Sequence, residues 1–467
     1  MNTILLTIDA LRVDHISCYG YDRTTTPNID VFAKENTKFT SAYSNGTFTS
    51  SAIPALLTGS YRKESESPLE MNKDLQINSP NIASVLRDAD VKTVGINTNT
   101  LLAIWYSEIN GFDEFMNHVP NKSEIESASS TSNNTDGLLK SIFRPLASQL
   151  GVKSEAKKIY NQFFVSDAPS TAYHNAESVT DKILETIKNN KNIFIWGHYM
   201  DPHEPYDYLD VLDKDFLKTD TRDTAPEEIK QIVNRASNEP ESILEHERRL
   251  LIDLYDAYIH YFDRHFGRLI DHLKKSGEYA DTQIIVTSDH GEEFGEHGKY
   301  FHFNKPYDEL IHVPLLTKCP IIELGTLNEQ VSHVDIAPTI AESYNVELPG
   351  TDGESLSGNI EDRKVVTFGT DRPYLDVSSK PFAALRYPDR KIIYNYSGDD
   401  ELYFLDEDPN EKHNQVENYT NEYSQLLSEL MHFINLSDSN KANLEAKTHI
   451  DETEGIKQQL DDLGYLE

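Results

Sequence analysis

The sequence predicts an α/β fold: a mostly parallel central sheet with helices on both faces, followed by a small antiparallel sheet. Three observations lead there. Short apolar runs of strand length alternate with helix-length segments through most of the chain. Two helical segments announce their starts with a hydroxyl residue and a proline. From Lys364 the alternation stops, and strand signals follow one another with only turn residues between them.

The elements follow in order. TILLTI, Thr3 to Ile8, reads as the first strand. In TTTPNIDVFAKEN, Thr26 is the expected N-cap and Pro27 the first helical residue, where its missing N–H costs nothing. KFTSAYS, Lys38 to Ser44, is the next strand. NGTFTSSAIPALLTG, Asn45 to Gly59, crowds Thr47, Thr49, Ser50 and Ser51 ahead of a helix. Pro54 suits only a first turn, so the helix is expected to start near Ser50 or Ser51, with Thr49 just before it and Gly59 closing it. SPNIASVLRDAD repeats the cap-and-proline pattern at Ser79 and Pro80.

KTVGIN (Lys92 to Asn97), NIFIWG (Asn192 to Gly197), TQIIVTS (Thr282 to Ser288) and VPLLT (Val313 to Thr317) are further strands. A long amphipathic helix is expected from about Ser242 to Lys275. Its stripe of Tyr255, Tyr258, Phe262 and Phe266 reads as core, and the charges from Glu245 to Arg249 as a solvated face. SEIESASSTSNNTDG, Ser123 to Gly137, is polar and reads as a loop or insertion. KVVTFG, PFAALRY, RKIIYNY and ELYFLD are strands separated by turns such as Pro388-Asp389 and Gly398-Asp399. One or two helices and an acidic tail follow from about Asn421. The expected organisation is a catalytic α/β domain over 1–360, an antiparallel-sheet subdomain over 361–435 and an acidic helical tail over 436–467.

Composition narrows the function classes. The chain has 467 residues, 38% of them hydrophobic, enough for a sizeable core. Its net charge of −35 argues against nucleic acid and against an anionic membrane surface as partners. The acids are spread along the chain, which suits a surface working in high salt; an acidic protein of an ordinary cytosol is the plainer alternative. Cys18 and Cys319 make no disulfide framework. The N-terminus lacks the pattern of a signal peptide, and no apolar run approaches the length of a membrane span, so the expected compartment is the cytoplasm.

In open α/β sheets ligands bind beyond the carboxyl ends of the strands. Asp9 follows the first strand there, and Asp289 and His290 follow TQIIVTS. Two carboxylates and an imidazole aimed from strand ends are a plausible metal set, although an aspartate after a strand more often caps a helix or forms a turn. Thr49 sits at the positive end of its helix, where free N–H groups attract an anion. A hydroxyl beside a divalent cation there sheds its proton more readily than in water, which makes Thr49 a candidate nucleophile. The plainer reading is that Thr49, Ser50 and Ser51 only cap the helix.

ILLTIDALRVDHISCYGY, TTPNID, LLTG, HYMDPHEPY, TSDHGEEFGEHG, PYDELIHVPLL, VDIAPTI and ELYFLDEDPNEKHN occur in that order over nearly the whole chain. Together they resemble the sulfatase branch of the alkaline-phosphatase-like superfamily. The resemblance implies a divalent metal and transfer of a sulfuryl or phosphoryl group through a covalent intermediate. It matches Asp9, Asp289 and His290 to metal ligands and places Thr49 where sulfatases carry a modified cysteine or serine. It matches His203 to a residue that contacts the transferred group or protonates the leaving oxygen. His302 falls where relatives have a lysine or histidine touching the same group. Thr98, Asn99, Arg62 and Lys63 are weaker candidates for substrate binding.

Two departures stand out. Sulfatases carry Cys-x-Pro-x-Arg or Ser-x-Pro-x-Arg, whereas this chain has TSSAI, with Ser51 for the proline and Ile53 for the arginine. Oxidising threonine gives a ketone, so the formylglycine route is closed to it; a direct threonine alkoxide is known in similar phosphodiesterases and phosphoethanolamine transferases. Asp9 is followed by Ala10, where sulfatases often have a second aspartate. The remaining set suits a single Mn²⁺ or Zn²⁺ better than Ca²⁺ or Mg²⁺. The expected substrate is an anionic sulfate or phosphate ester. Hydrolase, phosphoryl-type transferase or phosphodiesterase, and non-catalytic anion-binding relative all stay open. His198, His297 and His312 read as supporting residues, and Cys18 as packing or turn material.

Overall fold

The computed structural model describes residues 1–61, 80–99, 102, 111–117, 175–206, 209–302, 304–358, 360–370, 381–396 and 398–433. Arg62, Lys63, Ser79, the 123–137 segment and the 436–467 tail lie outside the described residues.

The strands that build the large sheet are β1 (Asn2–Ile8), β2 (Thr37–Tyr43), β3 (Lys92–Asn97), β4 (Glu114–Asn117), β5 (Ile193–Tyr199), β6 (Thr282–Ser288), β7 (His312–Lys318) and two short strands, β8 (Thr326–Leu327) and β9 (Val331–Ser332). The order is β8-β2-β7-β6-β1-β5-β3-β4, with β9 also pairing β2. All pairs are parallel except those of β7, which runs against both β2 and β6. VPLLT is therefore the antiparallel member of an otherwise parallel sheet.

Helices cover both faces, as the apolar composition of the central strands requires. Alternation along β1 sends Ile4, Leu6 and Ile8 into one layer and Leu5 into the other. The first layer holds the helices Ala176–Asn189 and Glu245–Ser276, with Tyr255, Tyr258, Phe262 and Phe266 fully buried. The second holds Thr49–Thr58, Ile82–Asp88 and Ile336–Ser343. Among the described residues no helix is long and apolar enough to cross a membrane.

Three local expectations need correction. The helix carrying Thr49 starts one residue earlier than its proline suggested: Phe48 is the cap and Thr49 the first helical residue. The Ile82 helix is capped by Asn81, whose side chain accepts from the Ser84 N–H at 2.9 Å. Pro80 lies outside that helix, because an asparagine side chain in the extended conformation reaches the N–H three residues on. The stretch from Glu245 to Arg249 is not wholly solvated: Glu247 is buried and ion-paired with Arg235.

The C-terminal strands β10 (Val365–Thr370), β11 (Pro381–Arg386), β12 (Arg390–Asn395) and β13 (Glu401–Phe404) form an antiparallel sheet in sequence order. The helix Thr420–Phe433 packs Tyr423, Leu426 and Leu430 against it. The sheet is tied to the α/β layers in two places. Lys391, fully buried, reaches Asp308 at 2.7 Å and Glu411 at 2.5 Å, while Arg386 holds Asp308 at 2.9 Å. The loop leading to Thr49 is stitched to β10. Phe368 N–H donates to Asn45 O at 3.1 Å and Thr47 N–H to Phe368 O at 3.3 Å. The Asn45 amide donates to Val366 O at 2.8 Å, and the Thr367 hydroxyl to Ser44 O at 2.8 Å.

Candidate active site

Register brings the site together. Ile8 pairs with Tyr199 on one side and with Ser288 on the other, so the residues that follow, Asp9 and Asp289, emerge side by side. Asn97 pairs with His198, which places Thr98 and Asn99 at the same edge. Four adjacent parallel strands thus end at one rim. Asp9 is turned into it by Ala10, which takes the left-handed conformation at φ 60. The Tyr255 hydroxyl fixes this bend: it donates to Ala10 O at 2.6 Å and accepts from Arg12 N–H at 2.8 Å. The aromatic stripe therefore supports the site as well as filling the core.

Thr49 comes from the second helical layer, at the first position of its helix. Gly46 makes the approach possible, since a Cβ there would lie 2.2 Å from Ser51 Oγ and 2.5 Å from Ala52 N. The Ser44 hydroxyl donates to Asp289 O at 2.5 Å and ties this loop to the second strand end.

Each acid of the cluster has one oxygen tied and one left over. Asp9 Oδ2 accepts from Thr49 Oγ1 at 3.3 Å, Asn99 Nδ2 at 3.1 Å and His198 Nε2 at 3.2 Å. Asp289 Oδ1 accepts from the N–H groups of His290 at 2.9 Å and Ala10 at 3.2 Å. Asp9 Oδ1 and Asp289 Oδ2 are buried with no hydrogen-bond partner. The Nδ1–H of His290 donates to Gly291 O at 2.8 Å, so Nε2 faces the other way. That nitrogen lies 3.4 Å from Asp9 Oδ1, 3.6 Å from Asp289 Oδ2 and 3.5 Å from Thr49 Oγ1. Orphaned buried carboxylate oxygens are costly, and their convergence on a ring nitrogen fits a divalent cation.

His198 is placed by a directional chain. The Trp196 indole N–H, which can only donate, reaches Thr7 Oγ1 at 3.0 Å. Asp9 Oδ2 can only accept, so His198 carries a hydrogen on the Nε2 that faces it, and the Thr7 hydroxyl, 2.8 Å from Nδ1, continues the chain on the other side of the ring.

His203 and His302 stand beside the cluster. Their ring centroids are 4.9 Å apart, and His302 is 4.7 Å from His290. His203 Nε2 lies 3.9 Å from Asp9 Oδ1. Burial opposes a charge on His203, but the carboxylates of Glu204 and Asp9 outweigh it and push its pKa up to about 9. Burial, helped by His290 and His203, pulls His302 down and keeps it neutral. Burial alone would raise Asp9, yet His203, His198 and His290 hold it well below the ordinary carboxylate range. Asp289, with Asp9 beside it, is raised by burial and by that like charge.

Two participants escaped sequence reasoning. Glu204 and Glu292 carry buried oxygens without hydrogen-bond partners, and Glu292 Oε1 lies 3.1 Å from His302 Nδ1. Both sit inside the quoted motifs, which was the signal available, but neither follows a strand. Thr98 is buried at the rim with no partner for its hydroxyl. His297 stacks on Tyr307 at 3.5 Å, and His312 hydrogen-bonds Thr40 O at 2.9 Å. Cys18 lies in a short turn, and burial pushes its thiol up to about 12, far from a thiolate.

The sulfatase family model matches residues 1–346. The chain is 24% identical to an N-acetylglucosamine-6-O-sulfatase of Bacteroides thetaiotaomicron over 93% of this chain and 85% of that protein. It is also 24% identical to an uncharacterized sulfatase of Escherichia coli over 89% of this chain and 83% of that one. The fold is similar to that of a phosphonate monoester hydrolase from Silicibacter pomeroyi, with TM-score 0.65, 20% identity and coverage of 94% and 96% of the two chains. A structure holding its substrate D-glucosamine-2-N,6-O-disulfate superposes with TM-score 0.63 at 20% identity, covering 95% and 98%.

Proposed function

The chain belongs to the sulfatase family, and from that premise we propose that it hydrolyses sulfate esters or related phosphate and phosphonate esters through a covalent ester on Thr49. The observation that carries this reading is the convergence of Asp9 Oδ1, Asp289 Oδ2 and His290 Nε2 beside Thr49 Oγ1. Those three side chains would hold a divalent cation, Mn²⁺ or Zn²⁺ by their chemistry. Such an ion supplies Lewis acidity toward the anion and lowers the pKa of a neighbouring hydroxyl.

The chain's own groups do the rest. The helix start presents N–H groups to the anion. The Thr49 hydroxyl points its hydrogen at Asp9 Oδ2 and its lone pairs outward. That hydrogen passes to Asp9 Oδ2 while the Thr49 oxygen bonds to sulfur or phosphorus and the bond to the alcohol oxygen breaks. That oxygen leaves toward His203 and His302, and the His203 hydrogen neutralises it. Water then cleaves the threonine ester, releasing sulfate or phosphate and restoring the hydroxyl. Thr98 and Asn99 line the same rim.

A second reading, phosphoryl transfer or phosphodiester cleavage, is favoured by one observation. Ile53, which replaces the arginine of the sulfatase motif, is fully buried in the core. No guanidinium therefore stands at the position where the sulfatase motif carries one. Purified protein with Mn²⁺, Zn²⁺, Mg²⁺ or Ca²⁺ and high salt should turn over nitrophenyl sulfate, nitrophenyl phosphate or bis-nitrophenyl phosphate. Which ester reacts fastest separates the two readings. No turnover of any, with metal content unaltered in Thr49→Ala, points to an anion-binding relative instead.

A further inference from the structure

We propose a second cation position, formed by His203, Glu204 and His302 beside the first, that takes a divalent ion such as Zn²⁺ or Mn²⁺. One ligand atom from each of the three lies within 4.8 Å of the others. Both imidazoles are oriented in the way metal-binding histidines are, with the distal nitrogen fixed by a carbonyl or carboxylate. His203 Nδ1–H donates to the Glu204 carbonyl at 2.6 Å, and His302 Nδ1 lies 3.1 Å from Glu292 Oε1. Glu204 Oε2 is 3.2 Å from His203 Nδ1 but receives no hydrogen, because that nitrogen's hydrogen goes to the carbonyl. Asp9 Oδ1, fully buried and unpartnered, lies 3.4 Å from His290 Nε2 and 3.9 Å from His203 Nε2. It stands where one carboxylate would face both ions.

Unmet carboxylate oxygens make the same case. Asp9 Oδ1, Asp289 Oδ2, Glu204 Oε2 and Glu292 Oε2 are all buried without a hydrogen-bond partner. Among the described residues no lysine or arginine hydrogen-bonds or ion-pairs with Asp9, Asp289, Glu204 or Thr49. Arg12, the nearby guanidinium, is committed to Asp14 at 2.7 Å and Glu296 at 2.8 Å. A second divalent ion would give Glu204 Oε2 a partner that no lysine or arginine among the described residues supplies. His302 supplies a ligand rather than a fixed charge.

The inference rests on reading the pocket as an anionic-ester site, and it gives the leaving oxygen a cation to meet in place of the His203 hydrogen. The test is stoichiometry. Full-length protein is stripped with chelator, dialysed against Zn²⁺ or Mn²⁺ and assayed by plasma mass spectrometry. Two equivalents per chain are expected in the wild type. Glu204→Gln and His302→Ala should each lose one and keep the other, and Asp289→Asn should lose the ion that they keep. One equivalent in the wild type, or two retained by both Glu204→Gln and His302→Ala, overturns the proposal. If His302→Ala is shown by circular dichroism to be unfolded, the wild type and Glu204→Gln decide. The count needs no turnover, so two ions with no ester hydrolysed would sink the proposed activity and leave this site standing.

Discussion

The Thr49 hydroxyl lies 3.3 Å from Asp9 Oδ2, forty residues away in sequence and on a different layer of the fold. Strand register delivers the acid and a helix start delivers the hydroxyl. If this pair is the reacting centre, Thr49→Ala lowers kcat/KM by at least about 10³-fold, as removing a nucleophile does elsewhere. Rapid quenching with substrate followed by mass spectrometry should find sulfate or phosphate on the peptide containing residue 49. Label on Ser50 or Ser51 instead, or turnover surviving Thr49→Ala, assigns the nucleophile to a neighbour.

Removing divalent ions with chelator should abolish ester hydrolysis and lower Tm, because Asp9 and Asp289 are then left facing each other in a buried site. An ion present at 100 times its Kd stabilises the fold by about 2.7 kcal/mol. Activity and Tm should both return with Mn²⁺ or Zn²⁺. An unchanged melting curve after verified stripping contradicts this.

If Asp9 holds a cation, His198 acts on that ion through it. His198→Ala should weaken cation affinity about 10- to 100-fold, the usual range when an outer partner of a metal ligand is lost. Trp196→Phe removes the donor that holds the Thr7 hydroxyl beside His198 Nδ1, and should give a smaller loss in the same direction. Calorimetric titration of stripped protein reads both. Equal affinities in all three proteins mean that the chain from Trp196 is only packing.

Stability should fall in acid partly through His333. Burial, with His290 nearby, pulls its pKa down to about 3. Between pH 3 and about 6.5 the unfolded chain then binds a proton that the folded chain refuses. Stability from this group is complete above pH 7 and declines as pH drops through that window. At pH 5 the contribution already lost is about 2 kcal/mol. His333→Gln should therefore show a shallower fall in Tm between pH 7 and pH 5. Parallel curves for the two proteins refute it.

With a net charge of −35, self-repulsion should make the fold depend on salt. The Debye length shrinks from about 10 Å at 0.1 M to about 3 Å at 1 M. Tm and activity should rise together across that range of KCl. Full stability in dilute buffer would show that the acidic surface is no adaptation to brine.

Asp9, Asp289 and His290 were legible because a short apolar run followed by an acid is a local pattern, and parallel strands put all such ends on one rim. Pro54 bounds the first turn only loosely, so it places the start of the Thr49 helix one residue late. Ser79-Pro80 offers a stronger local signal than Asn81, whose capping bond to Ser84 shows only in the folded chain. The second task of Tyr255, and the buried carboxylates of Glu204 and Glu292, could not be read at all. They depend on which loops cross the rim, a matter of long-range packing. The direction of β7 was equally hidden, since an apolar run carries no sign of which way it will pair.

The hydrogen bonds between the Asn45 loop and β10 have a consequence for biosynthesis. The Asn45 side chain waits for Val366, a partner translated 321 residues later. A ribosome-bound chain that already displays its threonine lacks the β10 backbone that steadies this loop. If Thr49 is the reacting group, its chemistry waits until the last quarter of the polypeptide has been made and has docked.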